Sequence, residues 1–218
     1  MDAYFLPDTA ATDYRKNHVK TTVAIVRVQP QQRRLGYFHN TAYHELEGRD
    51  FDGLFRIGLT DPADYLPPYC EFAKLGRLER RFGDELHDMA TRFARDQLRH
   101  APTNPMTAFA ERLPSDMERM VAESEQYYHD YVFSGLRQCG ANFELAAFFL
   151  EWLQRGGTAD LAVSIDGFRA VSRTAKMLIL KLARVARSKR PRDLTASVLE
   201  MGEAWARAMD HLHVRLGA

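Results

Sequence analysis

The spacing of apolar residues changes near residue 69, and that change demands two kinds of packing from one chain. Before it, Lys20 to Val28 is short and rich in β-branched residues, and Arg34 to His39 follows after the polar break Gln29-Pro30-Gln31-Gln32. Side chains on a strand alternate between faces, so two such runs joined by a turn predict a hairpin. Tyr43 to Leu46 offers a third strand, Asp50 to Phe55 a short helical turn, and Asp61-Pro62 and Pro67-Pro68 mark irregular chain. After Tyr69 the apolar residues Phe72, Leu75, Leu78, Phe82, Leu86, Met89, Phe93 and Leu98 recur at helical spacing, which predicts one long amphipathic helix ending near His100. The expected fold class is therefore α+β: a small antiparallel β-containing domain over 1–68, then an all-α helical bundle over 69–218.

Start and stop signals divide the second part. Asn104 before Pro105 places a cap ahead of a first-turn proline, and Ser115 to Glu118 has the form of a capping box. Cys139-Gly140 and Gly156-Gly157 read as stops. Phe143 to Leu153, apolar nearly all round, predicts the central helix of the bundle. Two more long helices are expected over roughly 159–189 and 193–216, parted by Pro191, with no strand after residue 70.

Composition narrows the chemistry. Charged residues nearly cancel to a net +1, so no global field argues for nucleic acid or a membrane surface. Two cysteines are too few for a disulfide scaffold, which favours a reducing, cytoplasmic setting. No secretory leader or long apolar span is apparent. His211 and His213 lie two apart on a helix, hence on different faces, and no metal pattern or glycine-rich phosphate loop appears, so neither metal nor cofactor is expected.

His18 heads the first alternating run and Asn40 ends the second, the positions that a general base and its orienting amide take in cysteine acyl transfer. They face each other only if paired residue numbers add to 58, as His18 with Asn40. Leu35 and Tyr37 then share the core face with Thr21, Val23 and Ile25. A four-residue turn over Pro30 to Arg33 gives a sum of 63 instead, displaces Asn40 by roughly 16 Å along the strand, and leaves Glu45 or Asp52 as the better partner for His18. No Cys precedes His18.

Asp2-Ala3-Tyr4-Phe5-Leu6-Pro7-Asp8-Thr9, Tyr14, His18 to Thr22, Gly36 to Asn40 and Leu136-Arg137-Gln138 together resemble the domain-of-unknown-function family 1839, along essentially the whole chain. More distantly, the arrangement is similar to the papain-like butirosin-biosynthesis acyltransferase. The resemblance implies that residues 1–68 are the C-terminal half of a papain-like domain. It further implies a preceding segment with a Cys in an Asn-Cys-Tyr context, making this chain a fragment. It assigns His18 the role of base and Asn40 that of orienter in moving an aminoacyl group from a carrier-protein thioester to an amine or water. Tyr4 and Tyr14 are candidates to line the acyl pocket, with core packing the commoner fate of such aromatics. Asp8 is expected to cap a short helix. Cys70, expected to lead into a helix, and Cys139, at a helix end, are poor substitutes for the absent nucleophile.

From Arg169 to Arg192 the chain carries nine Lys or Arg and no acid. Arg169, Arg173 and Lys176 share a helix face, which an acidic acyl or aminoacyl carrier protein with its phosphopantetheine arm would fit. Acids on neighbouring helices could equally balance them. The competing reading is thus a non-catalytic helical module that docks a carrier protein or partner enzyme.

Overall fold

The computed structural model describes residues 1–58 and 66–217, so Asp61-Pro62 lies outside the described residues. The chain divides into two units, Met1–Leu78 and Glu79–Ala218.

In the first unit β1 (Ala24–Gln29), β2 (Arg34–His39) and β3 (Ala42–Glu47) form an antiparallel sheet in the order β1-β2-β3. Pro30–Gln32 makes a 3-10 turn and Arg33 takes a left-handed conformation at φ 51°, so the loop consumes all four residues from Pro30 to Arg33. Val28 consequently pairs with Leu35 and Ile25 with Tyr37, sums of 63 and 62, with the register shift falling between Ile25 and Arg27. The sum of 58 required for a His18–Asn40 pair does not form. The expected core stripe survives the change: Leu35 and Tyr37 are buried, with Val23 and Ile25 packed against them. Phe5, Leu6, Phe51 and Leu54 complete this core, the last two from α1 (Arg49–Phe55).

The second unit holds, among the described residues, α2 (Gly83–Leu98), α3 (Pro105–Ala122), α4 (Glu125–Val132), α5 (Gln138–Arg155), α6 (Ala162–Ser188) and α7 (Thr195–Leu216). The long helix expected from Tyr69 is replaced by irregular chain and a 3-10 turn at Leu75–Arg77, with α2 starting only at Gly83. Phe72, Leu75, Leu78 and Phe82 are exposed there and find no core to pay for helical order. Cys70 accordingly sits on irregular chain rather than at a helix start.

Asn104 caps α3 as its sequence implies, accepting from the Met106 N–H at 3.1 Å. The Ser115 capping box is instead interior to α3: Leu113 and Met117 lie on its buried stripe, and Ser115 donates to the Arg112 carbonyl. Nor is Gly140 a stop. It lies inside α5, where an added Cβ would stand 3.6 Å from Ala175 and Lys176 of α6, so its smallness serves a close helix crossing. A π-helical turn at Phe133–Arg137 leads into α5. The central helix is α6 rather than α5. It buries Ile165, Phe168, Val171, Ala175, Leu178, Leu182 and Val185 at intervals of three and four, while α5 leaves Leu145, Phe148 and Phe149 exposed.

Candidate active site

Two His–carboxylate pairs are built where the N-terminal segment crosses the residues leading into β1. The Ala3 N–H donates to the Val19 carbonyl and the Thr21 N–H to the Met1 carbonyl, both at 2.8 Å, and Asp2 bridges Lys20 antiparallel. That register puts Tyr4 opposite His18 and makes Asp2 its diagonal neighbour, within reach of a long side chain. The Tyr4 and His18 rings stack at 4.2 Å, and His18 Nδ1 lies 2.7 Å from Asp2 Oδ2. Asp2 is the inner member, with 1% of its side chain exposed against 28% for His18. Its other oxygen accepts from the Tyr4 N–H at 3.1 Å. A carboxylate only accepts, so neutral His18 carries its proton on Nδ1.

Asn40 plays no such orienting part. It occupies the β2–β3 turn at φ 54° and is exposed, a conformation that Asn tolerates better than most residues. Glu45 and Asp52 are engaged elsewhere: Glu45 accepts from Tyr43 at 2.8 Å, and Asp52 is paired with Arg33. Tyr14 donates to Asp50 at 3.0 Å, and Arg15 also pairs with Asp50 while lying 5.6 Å from the Tyr4 ring centre. Of the two expected pocket tyrosines, Tyr4 thus touches His18, and Tyr14 is tied to Asp50. A hollow of about 290 Å³ in this unit is lined by Pro7, Arg34, Glu45, Leu46, Glu47 and Asp50, and His18 is not among its lining residues.

The second pair centres on Asp8, which sits in a 3-10 turn (Pro7–Thr9) and does not cap a helix over Thr9 to Arg15. Its carboxylate accepts from both Tyr37 and His39. Burial works to raise the Asp8 carboxyl, but the hydrogen bonds from Tyr37 and His39 outweigh it and hold Asp8 below its ordinary value. Burial first, then the Asp8 carboxylate, pushes the Tyr37 phenol well above its own. Asp2, Asp8 and His39 escape pattern reading because their partners lie far along the chain. One signal was available: two acids bracket the apolar run Ala3 to Leu6, and an acid carried into a core must find partners there.

The two cysteines differ in environment, and Cys70 is close enough to the Met1 ammonium to act on it electrostatically. Burial pushes the Cys139 thiol up to about 11, and Cys70 is exposed. Among the described residues, no three His, Cys, Asp or Glu side chains converge as metal ligands would, and no helix is long and apolar enough to cross a membrane.

On α6, Arg169 pairs with Glu151 and Lys176 with Glu144 at 3.0 Å, both acids from α5. Arg173 between them is exposed and has no carboxylate partner among the described residues. Arg169, Arg173 and Lys176, with Glu144, Ser172 and Phe148, line a groove of about 250 Å³.

The chain is an α+β protein whose sheet unit carries the His–carboxylate chemistry and whose helical unit carries a basic groove. It belongs to the DUF1839 family: residues 1–75 match the DUF1839 N-terminal domain and residues 83–214 the DUF1839 C-terminal domain. No curated protein and no solved structure matches it. These matches carry the family and not the papain-like likeness.

Proposed function

We propose that the sheet unit supplies the general base of an acyl transfer, with His18 as base and Asp2, in place of Asn40, as its orienter. The observation that supports this is the ordering of the pair: a buried carboxylate on Nδ1, an aromatic ring stacked on the imidazole, and an imidazole that is itself partly exposed. In this reading a thiol from outside the chain attacks the thioester of an aminoacyl group on a carrier protein. His18 takes the thiol proton and passes it to the departing phosphopantetheine sulfur, and an amine or water then releases the acyl group. The chain works as part of a papain-like acyltransferase in the reducing cytoplasm. Tyr4 fixes the ring and narrows its approach.

A second reading, a module that docks an acidic carrier protein without catalysis, draws on the exposed Arg173, which has no carboxylate partner among the described residues and lines a groove with Phe148, 54% exposed. Among the described residues Arg169 and Lys176 have carboxylate partners and Arg173 has none, so Arg173 is the residue to reverse. Aminoacyl-loaded carrier is incubated with an Asn-Cys-Tyr-containing partner segment and either wild-type chain or His18→Ala. Loss of thioester only with wild type supports the catalytic reading, and equal loss rejects it. Salt-sensitive carrier capture abolished by Arg173→Glu, with no His18 effect, leaves the docking module.

A further inference from the structure

Three residues beyond His18 stands a second constellation that the acyl-transfer reading does not use. Thr21 Oγ1 lies 3.1 Å from His39 Nε2, and His39 Nδ1 bonds the Asp8 carboxylate, whose other oxygen accepts from Tyr37. We infer that Thr21, His39 and Asp8 form a hydroxyl-nucleophile triad that acts on small acyl esters or thioesters.

The geometry has the order that such chemistry requires: nucleophile to base, base to orienting carboxylate. Burial is graded along it. Asp8 is 7% exposed and His39 8%, while Thr21 is only partly buried, next to an exposed Thr22. Charge is thus held inside, and the residue that bears the hydroxyl is partly exposed. The tautomer is fixed as well. Asp8, kept ionised by its two donors, can only accept, so neutral His39 carries its proton on Nδ1 and Nε2 is left to accept the Thr21 hydroxyl proton. Tyr37, on the second oxygen, prevents the carboxylate from turning away. Thr21 is itself anchored, its N–H donating to the Met1 carbonyl at 2.8 Å.

In the first step Thr21 Oγ1 bonds to the acyl carbon while its proton passes to His39 Nε2. The carbon–oxygen or carbon–sulfur bond of the substrate breaks, and the leaving alcohol or thiol takes that proton. Water then attacks the threonyl ester with His39 as base, releasing the acid and restoring the Thr21 hydroxyl. Asp8 stays ionised throughout, stabilising the transient imidazolium.

The test is a fluorophosphonate probe on the full chain, with peptide mapping, alongside p-nitrophenyl acetate hydrolysis. Phosphonylation is expected on Thr21, retained in Thr21→Ser and lost in Thr21→Ala and His39→Gln. Hydrolysis should fall about 10²–10⁴-fold in His39→Gln, the range for losing a positioned general base, and at least as far in Thr21→Ala. Thr21→Ala keeps the Asp8 bonds to His39 and Tyr37, so its fold is checked by an unchanged circular dichroism spectrum. An unlabelled Thr21 in folded wild type, or undiminished hydrolysis by folded Thr21→Ala, makes the network a structural clamp and overturns the triad. The His18 reading is scored separately, on carrier thioester.

Discussion

The two units solve the same problem, holding a chain together, with opposite materials. The helical unit does it with apolar stripes: α6 presents Leu178, Leu182 and Val185 to its neighbours almost without interruption. The sheet unit has a smaller core and threads ionisable groups through it, with Asp2 and His39 buried and the Asp8 side chain nearly covered in the unit that holds Leu6, Leu35 and Tyr37. Apolar packing is forgiving about where a neighbour comes from. Buried carboxylates are not, because each demands a named donor at hydrogen-bond distance. The helical unit buries one carboxylate too, Asp116, which accepts from Tyr131 at 3.0 Å and from Arg112 at 3.2 Å, but in the sheet unit two carboxylates are joined to histidines, the polar geometry from which proton transfer is built.

The contrast can be broken most forcefully in the helical unit. Leu182→Ala, at a position with no exposure, should cost about 2–5 kcal/mol by leaving a cavity, read as a shift in the urea midpoint of the helical transition. A loss under 1 kcal/mol, on the order of a surface change, would mean that α6 is not the central helix. Next in size is Asp8→Asn. It removes an ionic acceptor from Tyr37 and His39 and should cost about 1–3 kcal/mol, confined to the sheet unit.

A pH series sharpens the same point. Because the folded Asp8 carboxyl lies below its ordinary value, its contribution is complete above about pH 4 and is lost as pH falls through the lower folded value. Wild type should thus lose its stability advantage over Asp8→Asn only in acid. A constant gap down to the lowest pH would contradict the assignment. The smallest effect needs no mutation: at pH 8 a thiol reagent should modify exposed Cys70 well ahead of Cys139, whose thiol is pushed up to about 11.

The same division explains what was legible in the sequence. α6 and α7 run close to the expected 159–189 and 193–216, because helical periodicity and the cap at Asn104 are local signals. The three strands were readable for the same reason. The hairpin register was not, since it turned on whether Pro30 to Arg33 closed as a single four-residue loop, a choice made by backbone conformation at Arg33. That one choice took Asn40 out of reach of His18. Asp2 was invisible as an orienter because its position comes from the pairing of the N-terminal segment with Val19 to Thr21, outside any regular strand. Phe143 to Leu153 misled for a different reason. Hydrophobicity all round a helix reports the need for partners, and α5 leaves Leu145, Phe148 and Phe149 uncovered within this chain.

If the Asp2 carboxylate fixes the imidazole of His18, long-range proton–nitrogen NMR of the ring reads it directly. With His18 neutral, the proton should reside on Nδ1 in wild type and shift toward the Nε2 form, the commoner tautomer of a free imidazole, in Asp2→Asn. A wild-type His18 already protonated on Nε2 when neutral, and unmoved by Asp2→Asn, would contradict the proposed base.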